Sequence, residues 1–138
     1  MLSSSRFVVA IHAMSVLARY AGRGPVCSNL VAHSVNTNPV VIRRLMSDLE
    51  KAELVTSSSG RTGGFSLARA PEGISLADIY RAVEDDTVFR MHKSEPSSDC
   101  PIGAQIAKVL AGPLQAAENA MSSSLAGTTL RDIAVQIA

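Results

Sequence analysis

The sequence has 138 residues, of which 46% are apolar and 18% charged. This composition excludes a disordered chain, and the length suits one domain, or one domain plus an extension, around a buried core. The net charge of +1 hides an asymmetry, because residues 1–70 carry eight Lys/Arg against three acids and residues 71–138 carry five against nine. A basic first half beside an acidic second half predicts a polyanion partner for the first half alone.

The first helix is predicted over residues 3–21 and ends at the stop signal Gly22-Arg23-Gly24-Pro25. The apolar run 7–18 follows Arg6, as in a signal peptide, but its apolar residues recur at helical spacing. A packed first helix is therefore favoured. No apolar segment is long enough to cross a membrane, so no membrane partner is expected.

A short second helix is predicted over residues 28–33, with Cys27 or Ser28 as its cap. After the polar turn 34–37, a third helix is predicted over residues 39–52, capped by Asn38 and opened by Pro39. Two helices joined by a few polar residues are typical of a helix-turn-helix, whose second helix enters the major groove of DNA.

The third helix is predicted to have two distinct faces. Leu45, Leu49 and Ala52 point one way, which leaves the adjacent arginines Arg43 and Arg44, together with Ser47, to face outward. Residues 54–69 then predict a β-hairpin, with strands 55–57 and 65–67 around a Ser/Gly-rich tip. A hairpin directly after a helix-turn-helix is a wing, and Arg61 at its tip is placed to reach phosphates or a minor groove.

In the second half, Ser75 and Asp78 predict a capping box, and residues 84–99 are polar and loop-like. A long helix is predicted to open at Asp99 or Cys100, and Thr129 with Asp132 predicts the cap of a short last helix. Apolar residues recur along the long helix at three- and four-residue spacing, which predicts a coiled-coil-like seam. These residues are Ile102, Ile106, Val109 or Leu110, Leu114, Ala117, Met121 and Leu125.

Several local strings resemble the Rrf-type bacterial transcriptional regulators, which include the iron–sulfur regulator, the nitric-oxide-sensing repressor and the cysteine-metabolism repressor. The strings are RFVVAIH (6–12), VIRRL (41–45), KAELV (51–55), GRTGGFSLAR (60–69) and ISLADIYRAVE (74–84). The resemblance implies a mainly α fold: a winged helix-turn-helix domain with a two-stranded wing at 1–84, a hinge or effector loop at 85–99, and a dimerisation helix plus C-terminal helix at 100–138. It also implies a homodimer whose long helices cross and which binds a partly palindromic double-stranded DNA operator.

Some members of that family hold a [2Fe–2S] or [4Fe–4S] cluster with three closely spaced cysteines before the long helix. Here residues 84–103 contain only Cys100, and one thiolate near His92 does not make a cluster site. The sequence therefore resembles the cluster-free branch, and no cofactor is predicted. The three histidines, His12, His33 and His92, are dispersed in the sequence, so no metal site is predicted either.

The candidate DNA contacts lie in the helix-turn-helix and at the tip of the wing. They are Ser28, Thr37, Asn38, Pro39, Val40, Arg43, Arg44, Ser59, Gly60, Arg61, Thr62 and Gly63. The alternative for Arg43 and Arg44 is a solvated face with a salt bridge to Asp48 or Glu50. The alternative for Arg61 is a solubilising charge, because family members place the wing arginine directly before the Gly-Gly pair, where Thr62 stands here.

Cys27 and Cys100 are candidate sensors of oxidation. Their separation of 73 residues excludes a C-x-x-C pair, and a disulfide framework is not expected, so a reducing cytoplasm is the expected location. Cys27 lies at a predicted helix start, which lowers a thiol pKa, although a small buried residue or an incidental cap is the alternative. Cys100 lies where relatives place their sensory chemistry, with a structural cysteine as the alternative, and its neighbour Asp99 is expected to oppose thiolate formation.

These features together predict a homodimeric transcriptional regulator, acting as a repressor, whose activity responds to thiol oxidation or to a small effector near the hinge. No nucleophile–base pair, phosphate loop or catalytic metal motif appears, so no enzyme activity is predicted. One alternative is a protein-interaction module of the same fold that binds an enzyme partner with little affinity for DNA. Another is a cluster or metal protein whose site is completed across the dimer.

Overall fold

The computed structural model describes residues 5–84 and 88–137. This part of the chain contains six α-helices, one turn of 3-10 helix at Pro71–Gly73 and one antiparallel pair of strands. In chain order the elements are α1 (Arg6–Arg19), α2 (Ser28–Val35), α3 (Pro39–Lys51), β1 (Val55–Ser58), β2 (Gly64–Leu67), α4 (Leu76–Val83), α5 (Pro101–Ala126) and α6 (Leu130–Ala134). The fold is the predicted winged helix, mainly helical, with a long C-terminal helix.

The hydrophobic core is built around α1, which packs against α2, α3, α4 and α6. Ala10, Ala13, Met14 and Leu17 of α1 are buried and follow the spacing of one helix face. The other elements of the winged domain contribute the rest of the core, including Ile42, Met46, Leu49, Leu54, Ile74, Ile79 and Leu130. The apolar run that follows Arg6 is therefore a packed helix in this fold.

Local capping residues place the helix starts where the sequence predicted them. The Asn38 side-chain oxygen accepts a hydrogen bond from the Val40 N–H at 2.8 Å, and Pro39 occupies the first turn of α3. Ser75 with Asp78 forms a complete capping box at α4, and Thr129 with Asp132 forms another at α6. Each box satisfies backbone N–H groups that have no partner inside the helix.

Two predictions about the helix-turn-helix are wrong in detail. The second helix continues two residues past the predicted end at 33, and Asn36 ends it in the left-handed conformation with φ of 64°. The third helix ends at Lys51, so Ala52 lies at its C-cap and is exposed rather than packed. The buried face of α3 instead adds Ile42 and Met46 to the predicted Leu45 and Leu49.

The wing is a four-residue antiparallel pair that runs from Val55 opposite Leu67 to Ser58 opposite Gly64. Gly60 turns the tip with a positive φ of 96°, a conformation that side-chain-bearing residues rarely adopt. On the second strand of the wing, Phe65 exchanges two backbone hydrogen bonds of 2.8 Å with Val26. A side chain at Gly64 would meet the Val26 carbonyl oxygen at 2.3 Å, so only glycine allows this approach. The wing is thereby joined to the segment that precedes α2.

The predicted seam of α5 is divided between two surfaces. Five of its members are half-buried towards the rest of the same chain; these are Ile106, Leu110, Leu114, Met121 and Leu125. Ile102 and Val109, by contrast, are 73% and 63% exposed, and Ala117 is also exposed. The reason is that α5 packs against α4 of its own chain and uses one part of the apolar stripe for that contact.

The predicted division between the winged domain and the hinge follows residue 84 and remains a prediction, because residues 85–87 lie outside the described residues. Beyond them, the hinge is attached to the long helix. Glu118 of α5 accepts hydrogen bonds from the backbone N–H groups of Val88 at 3.1 Å and Phe89 at 3.4 Å. Within the described ranges, no helix is long and apolar enough to cross a membrane.

Candidate nucleic-acid interface

The outward face of α3 is mixed in character, with two valines followed by two arginines. Val40, Val41, Arg43 and Arg44 are all exposed, and Ser47 continues the same face one turn later. Arginine can donate two hydrogen bonds to guanine, and apolar side chains contact the thymine methyl group in the major groove. A helix of 13 residues with this face has both kinds of group that read base edges. Sequence reasoning missed Val41, although its three-residue spacing from Arg44 would have indicated it.

The two arginines do not form the salt bridges proposed as the alternative. Asp48 pairs instead with Arg6 at 2.6 Å, and Glu50 accepts a hydrogen bond from Ser57 at 2.8 Å. Arg43 donates to the Ser28 hydroxyl at 3.3 Å, whereas Arg44 has no ion pair or hydrogen bond to any described residue. The acids are held by other partners, so both guanidinium groups lie next to solvent without a neutralising carboxylate.

The predicted DNA-contact residues in the turn before α3 also make hydrogen bonds within the protein. The Asn38 side-chain oxygen is used as the helix cap, and the half-buried Thr37 donates its backbone N–H to Ala32 at 2.9 Å. The half-buried Ser28 opens α2 and accepts the Arg43 contact, which joins the starts of the two helices. These residues shape the edge of the α3 surface, and their outward groups remain available to a phosphate backbone.

The wing tip presents a small polar surface with one cation. Ser59, Gly60, Arg61 and Thr62 are exposed, and the half-buried Gly63 closes the turn by donating its N–H to the Gly60 carbonyl at 3.1 Å. Arg61 has no partner among the residues that the structure describes. A free guanidinium on a short hairpin can contact phosphates or enter a narrow minor groove.

Comparison with known proteins agrees with this geometry. The sequence profile of the Rrf2 family, described as iron-dependent transcriptional regulators, matches residues 3–136. YwnA of Bacillus subtilis (strain 168), which is classed with the HTH-type transcriptional regulators, is 39% identical over 131 residues, covering 94% of this chain and 95% of that protein.

This chain belongs to the Rrf2 family.

Two solved structures of this fold are also similar. CymR (YrzC), the global cysteine regulator of B. subtilis, superposes with a TM-score of 0.73 at 26% identity and covers 100% of both chains. The oxidised form of Staphylococcus aureus CymR superposes with a TM-score of 0.69 at 27% identity, covering 97% of this chain and 96% of that one. As a member of the Rrf2 family, the protein is a DNA-binding transcriptional regulator and not an enzyme.

The residues of this Rrf2 protein do not fit the iron centre that the family description implies. A cysteine-held iron–sulfur cluster needs more thiolates than Cys27 and Cys100, the two cysteines in the sequence, can supply. Among residues 5–84 and 88–137, no group of three or more His, Cys, Asp or Glu side chains is placed to hold a metal ion. His12 is engaged elsewhere, since its Nε2 lies 2.9 Å from the Ser34 hydroxyl.

The two cysteines lie at two helix N-termini. Cys27 is the N-cap residue of α2 and is exposed. The alternative prediction, that Cys27 is a small buried residue, is therefore wrong. Cys100 is the N-cap residue of α5 and is also exposed. Its thiol makes no capping hydrogen bond, but the backbone N–H groups of Gly103 and Ile102 stabilise its thiolate and lower the pKa of Cys100. The pKa falls despite the neighbouring Asp99, against the expectation from sequence.

Proposed function

We propose that this protein is a homodimeric repressor that binds a partly palindromic operator. In each subunit, α3 enters the major groove and the wing reaches the flanking backbone. The observation that carries this proposal is the exposed surface of α3, where Arg43 and Arg44 lie beside two valines without a neutralising acid. Base-reading cations and apolar groups on one helix face are what a recognition helix needs. Repression is the mode of action of two of the relatives that the sequence resembles.

The homodimer is proposed from the uncovered apolar surface of α5. This 26-residue helix has no fully buried residue, although it starts with an apolar segment and carries many alanines. At 100° per residue, Ile102, Val109 and Ala116 form a stripe beside the face that packs on α4. Gln105, Lys108, Gln115 and Asn119 form a separate polar face. A second copy of α5 is the natural cover for the stripe, and two crossed helices would fix the spacing of the operator half-sites.

Two features support control of DNA binding near the hinge. Cys100 is exposed and its lowered pKa favours the reactive thiolate, and a related regulator, S. aureus CymR, has been crystallised in an oxidised form. A cavity of about 480 Å³ also lies between hinge residues 88–92 and the side chains of Leu110 and Leu114. Its volume lies within the range of small-molecule sites. Oxidation of Cys100, or a small effector in this cavity, would alter how α5 holds the winged domains. Because its target is DNA, we place the protein in the cytoplasm.

The experiment that tests the proposal is selection of bound sequences from a random double-stranded DNA library, run with reduced and with peroxide-treated protein. We expect an enriched inverted repeat for the reduced protein. Affinity for that repeat should fall linearly on a log–log plot as salt rises, with a slope of roughly 0.9 for each phosphate neutralised. A library with no enriched sequence, or affinity that salt does not change, would contradict DNA recognition. That outcome would favour the protein-interaction module.

A further inference from the structure

A second pocket, separate from the hinge, lies behind the helix-turn-helix. It has a volume of about 310 Å³ and opens between α1, the end of α2 and α6. We call it the α1–α6 pocket and define it by six of its lining residues, which are His12, Ser15, Val16, Arg19, Ser34 and Ile137. No residue of this pocket belongs to the α3 surface or to the wing, so the DNA interface does not explain it.

Three polar residues of α1 line the pocket from one stripe of the helix, although the Ser15 hydroxyl donates a hydrogen bond of 2.7 Å to the Ile11 carbonyl of the same helix. His12, Ser15 and Arg19 are spaced by three and then four residues, which places them on the same face over two turns. Arg19 has no acidic partner in the described ranges of the chain. Arg19 lies in the last turn of α1, where the negative end of the helix dipole favours a cation. The dipole accounts for the charge of Arg19 but not for the polar groups that face it.

The residues that face this stripe come from the end of α2 and from the segment that follows α6. His12 Nε2 and the Ser34 hydroxyl are 2.9 Å apart and join α1 to the last turn of α2. On the other side, Ile137 is 58% exposed and, with Val16, forms an apolar wall. The pocket thus combines an unpaired guanidinium and a histidine–serine pair with a small apolar surface.

We propose that the α1–α6 pocket binds a small organic anion, a carboxylate with a short aliphatic chain. The carboxylate accepts hydrogen bonds from Arg19 and from the His12–Ser34 pair, and the aliphatic chain covers Val16 and Ile137. A guanidinium donates two parallel hydrogen bonds to a carboxylate, and the pocket volume suits a ligand of this size. The apolar wall favours such a ligand over an inorganic anion, because an inorganic anion would leave Ile137 exposed to solvent.

The position of Ser34 gives the ligand a route to the DNA-binding surface. Ser34 lies in the last turn of α2, directly before Val35 ends that helix and Asn36 turns the chain towards α3. A carboxylate that draws on the His12–Ser34 pair changes how α2 is held against α1, and α3 follows α2 through a three-residue turn. This effect on DNA rests on the proposed function, whereas binding of the anion does not.

The test is titration of the 15N-labelled full-length protein with straight-chain carboxylates from propionate to octanoate at constant ionic strength. NMR chemical shifts are measured at each step. We expect saturable shifts at the pocket residues, with dissociation constants on the order of 1 mM for the better chain lengths. Hexanamide, which has the shape but not the charge of hexanoate, should bind at least about tenfold more weakly. Sodium phosphate should give no saturable shifts at Ile137.

Two variants and one matched control test whether the carboxylate binds in the α1–α6 pocket. Arg19→Gln should weaken hexanoate binding at least about tenfold, whereas Arg23→Gln, in the loop after α1 and outside the pocket, should leave it unchanged. Ala134→Leu keeps every charge but fills the pocket from α6, and should also abolish the shifts. Circular dichroism establishes that each variant is folded.

The proposal is overturned if no carboxylate in the series gives saturable shifts at the pocket, or if hexanamide binds as well as hexanoate. Equal loss of binding in Arg19→Gln and Arg23→Gln overturns it as well. Operator affinity with and without hexanoate is measured separately. If the two sites are coupled, each ligand must change the affinity of the protein for the other. Binding of hexanoate without any change in operator affinity would therefore support the site and contradict only its coupling to DNA.

Discussion

The Ser57 hydroxyl donates a hydrogen bond of 2.8 Å to the Glu50 carboxylate, which joins the first strand of the wing to the last turn of α3. The second strand is held as well, because Phe65, which lies opposite Ser57 in the pair, exchanges backbone hydrogen bonds with Val26 just before α2. α3 and the wing are therefore held together through both strands of the hairpin, directly from Glu50 to the first strand and through the segment before α2 to the second. A rigid arrangement of the two lowers the entropy cost of placing both on one DNA duplex.

The first prediction concerns this contact. Ser57→Ala should weaken operator binding by about two- to tenfold, because the wing loses a side-chain hydrogen bond to α3 and must be ordered when DNA binds. The free energy of unfolding should change little, since the bond is exposed. Fluorescence anisotropy with a labelled operator measures the affinity. Thr56→Ala, at the neighbouring exposed position of β1, is the control, and an equal loss there would show that the Glu50 contact is not responsible.

The second prediction separates base contacts from phosphate contacts on α3. Arg43→Ala should cost about 1–3 kcal/mol of operator affinity and relax sequence preference at one position if the guanidinium reads a base. If Arg44 contacts a phosphate, Arg44→Ala should weaken binding to all sequences alike and reduce the salt slope by about 1. Binding curves at several salt concentrations measure both quantities. Lys108→Gln on the polar face of α5 is the control, and unchanged affinity in both arginine variants would remove them from the interface.

The third prediction concerns the proposed dimer. Val109→Glu should convert the protein to a monomer, because a carboxylate in the middle of the α5 stripe would be buried without a partner between the two helices. Light scattering after size-exclusion chromatography gives the mass, and operator affinity should fall with the loss of the second half-site. Lys108→Glu makes a larger change of charge on the polar face of the same helix and should remain dimeric. A dimeric Val109→Glu protein would place the interface elsewhere.

The sequence was sufficient for those features that depend on neighbouring residues. Asn38 and Pro39, the Ser75–Asp78 pair and the Thr129–Asp132 pair fixed three helix starts, because a cap needs only a side chain and the next free N–H groups. The exposed positions of Arg43, Arg44 and Arg61 followed from helix periodicity and from the glycine-rich hairpin in the same way.

Features that depend on distant residues could not be predicted. Nothing local indicates that Val26 pairs with Phe65, or that Gly64 must be glycine because the Val26 carbonyl approaches it. The division of the predicted α5 seam has the same origin, since packing against α4 decides which side of the apolar helix is used within the chain. The His12–Ser34 contact joins residues 22 positions apart, so the pocket behind the helix-turn-helix had no signal in the sequence.

The fourth prediction is a pH dependence of stability at the start of α4. Partial burial of Asp78 raises its pKa, but hydrogen bonds from Ser75 and the nearby Arg69 and Arg81 outweigh this effect and hold the pKa below its ordinary value. A carboxylate whose pKa is lowered by folding stabilises the protein at pH values above its unfolded pKa, and this contribution is lost as the pH falls through the folded value. It should therefore be complete at neutral pH and decline below about pH 4.

Asp78→Asn should destabilise the protein by about 1 kcal/mol at pH 7, since the amide weakens the capping box and both ion pairs. Urea unfolding at pH values from 3 to 7 measures the difference between this variant and the natural protein, and that difference should shrink at the acidic end. Glu95→Gln, which removes an exposed charge in the hinge, should change stability little at pH 7. A difference for Asp78→Asn that stays constant down to pH 3 would contradict the assigned role of the carboxylate.

The last prediction concerns the thiol at the start of α5. Because the backbone N–H groups of Gly103 and Ile102 lower the pKa of Cys100, more of the reactive thiolate is present at neutral pH than for a free cysteine. Alkylation of Cys100 by iodoacetamide, followed in the Cys27→Ser variant, should therefore show a pH midpoint below that of N-acetylcysteine. Hydrogen peroxide should convert the thiolate to a sulfenic acid, with the peroxide reduced to hydroxide.

Peroxide should weaken operator binding in the natural protein and in Cys27→Ser, and should have no effect in Cys100→Ser. The physical reason is that a larger, polar sulfur group at the N-cap of α5 changes how the hinge meets the helix that we propose to hold the dimer. Addition of a thiol reductant should restore binding, because the sulfenic acid is reversible. A full oxidant response in Cys100→Ser would exclude Cys100 as the sensor. Loss of the response in Cys27→Ser alone would assign it to the start of α2, where Ser28 contacts Arg43 of α3.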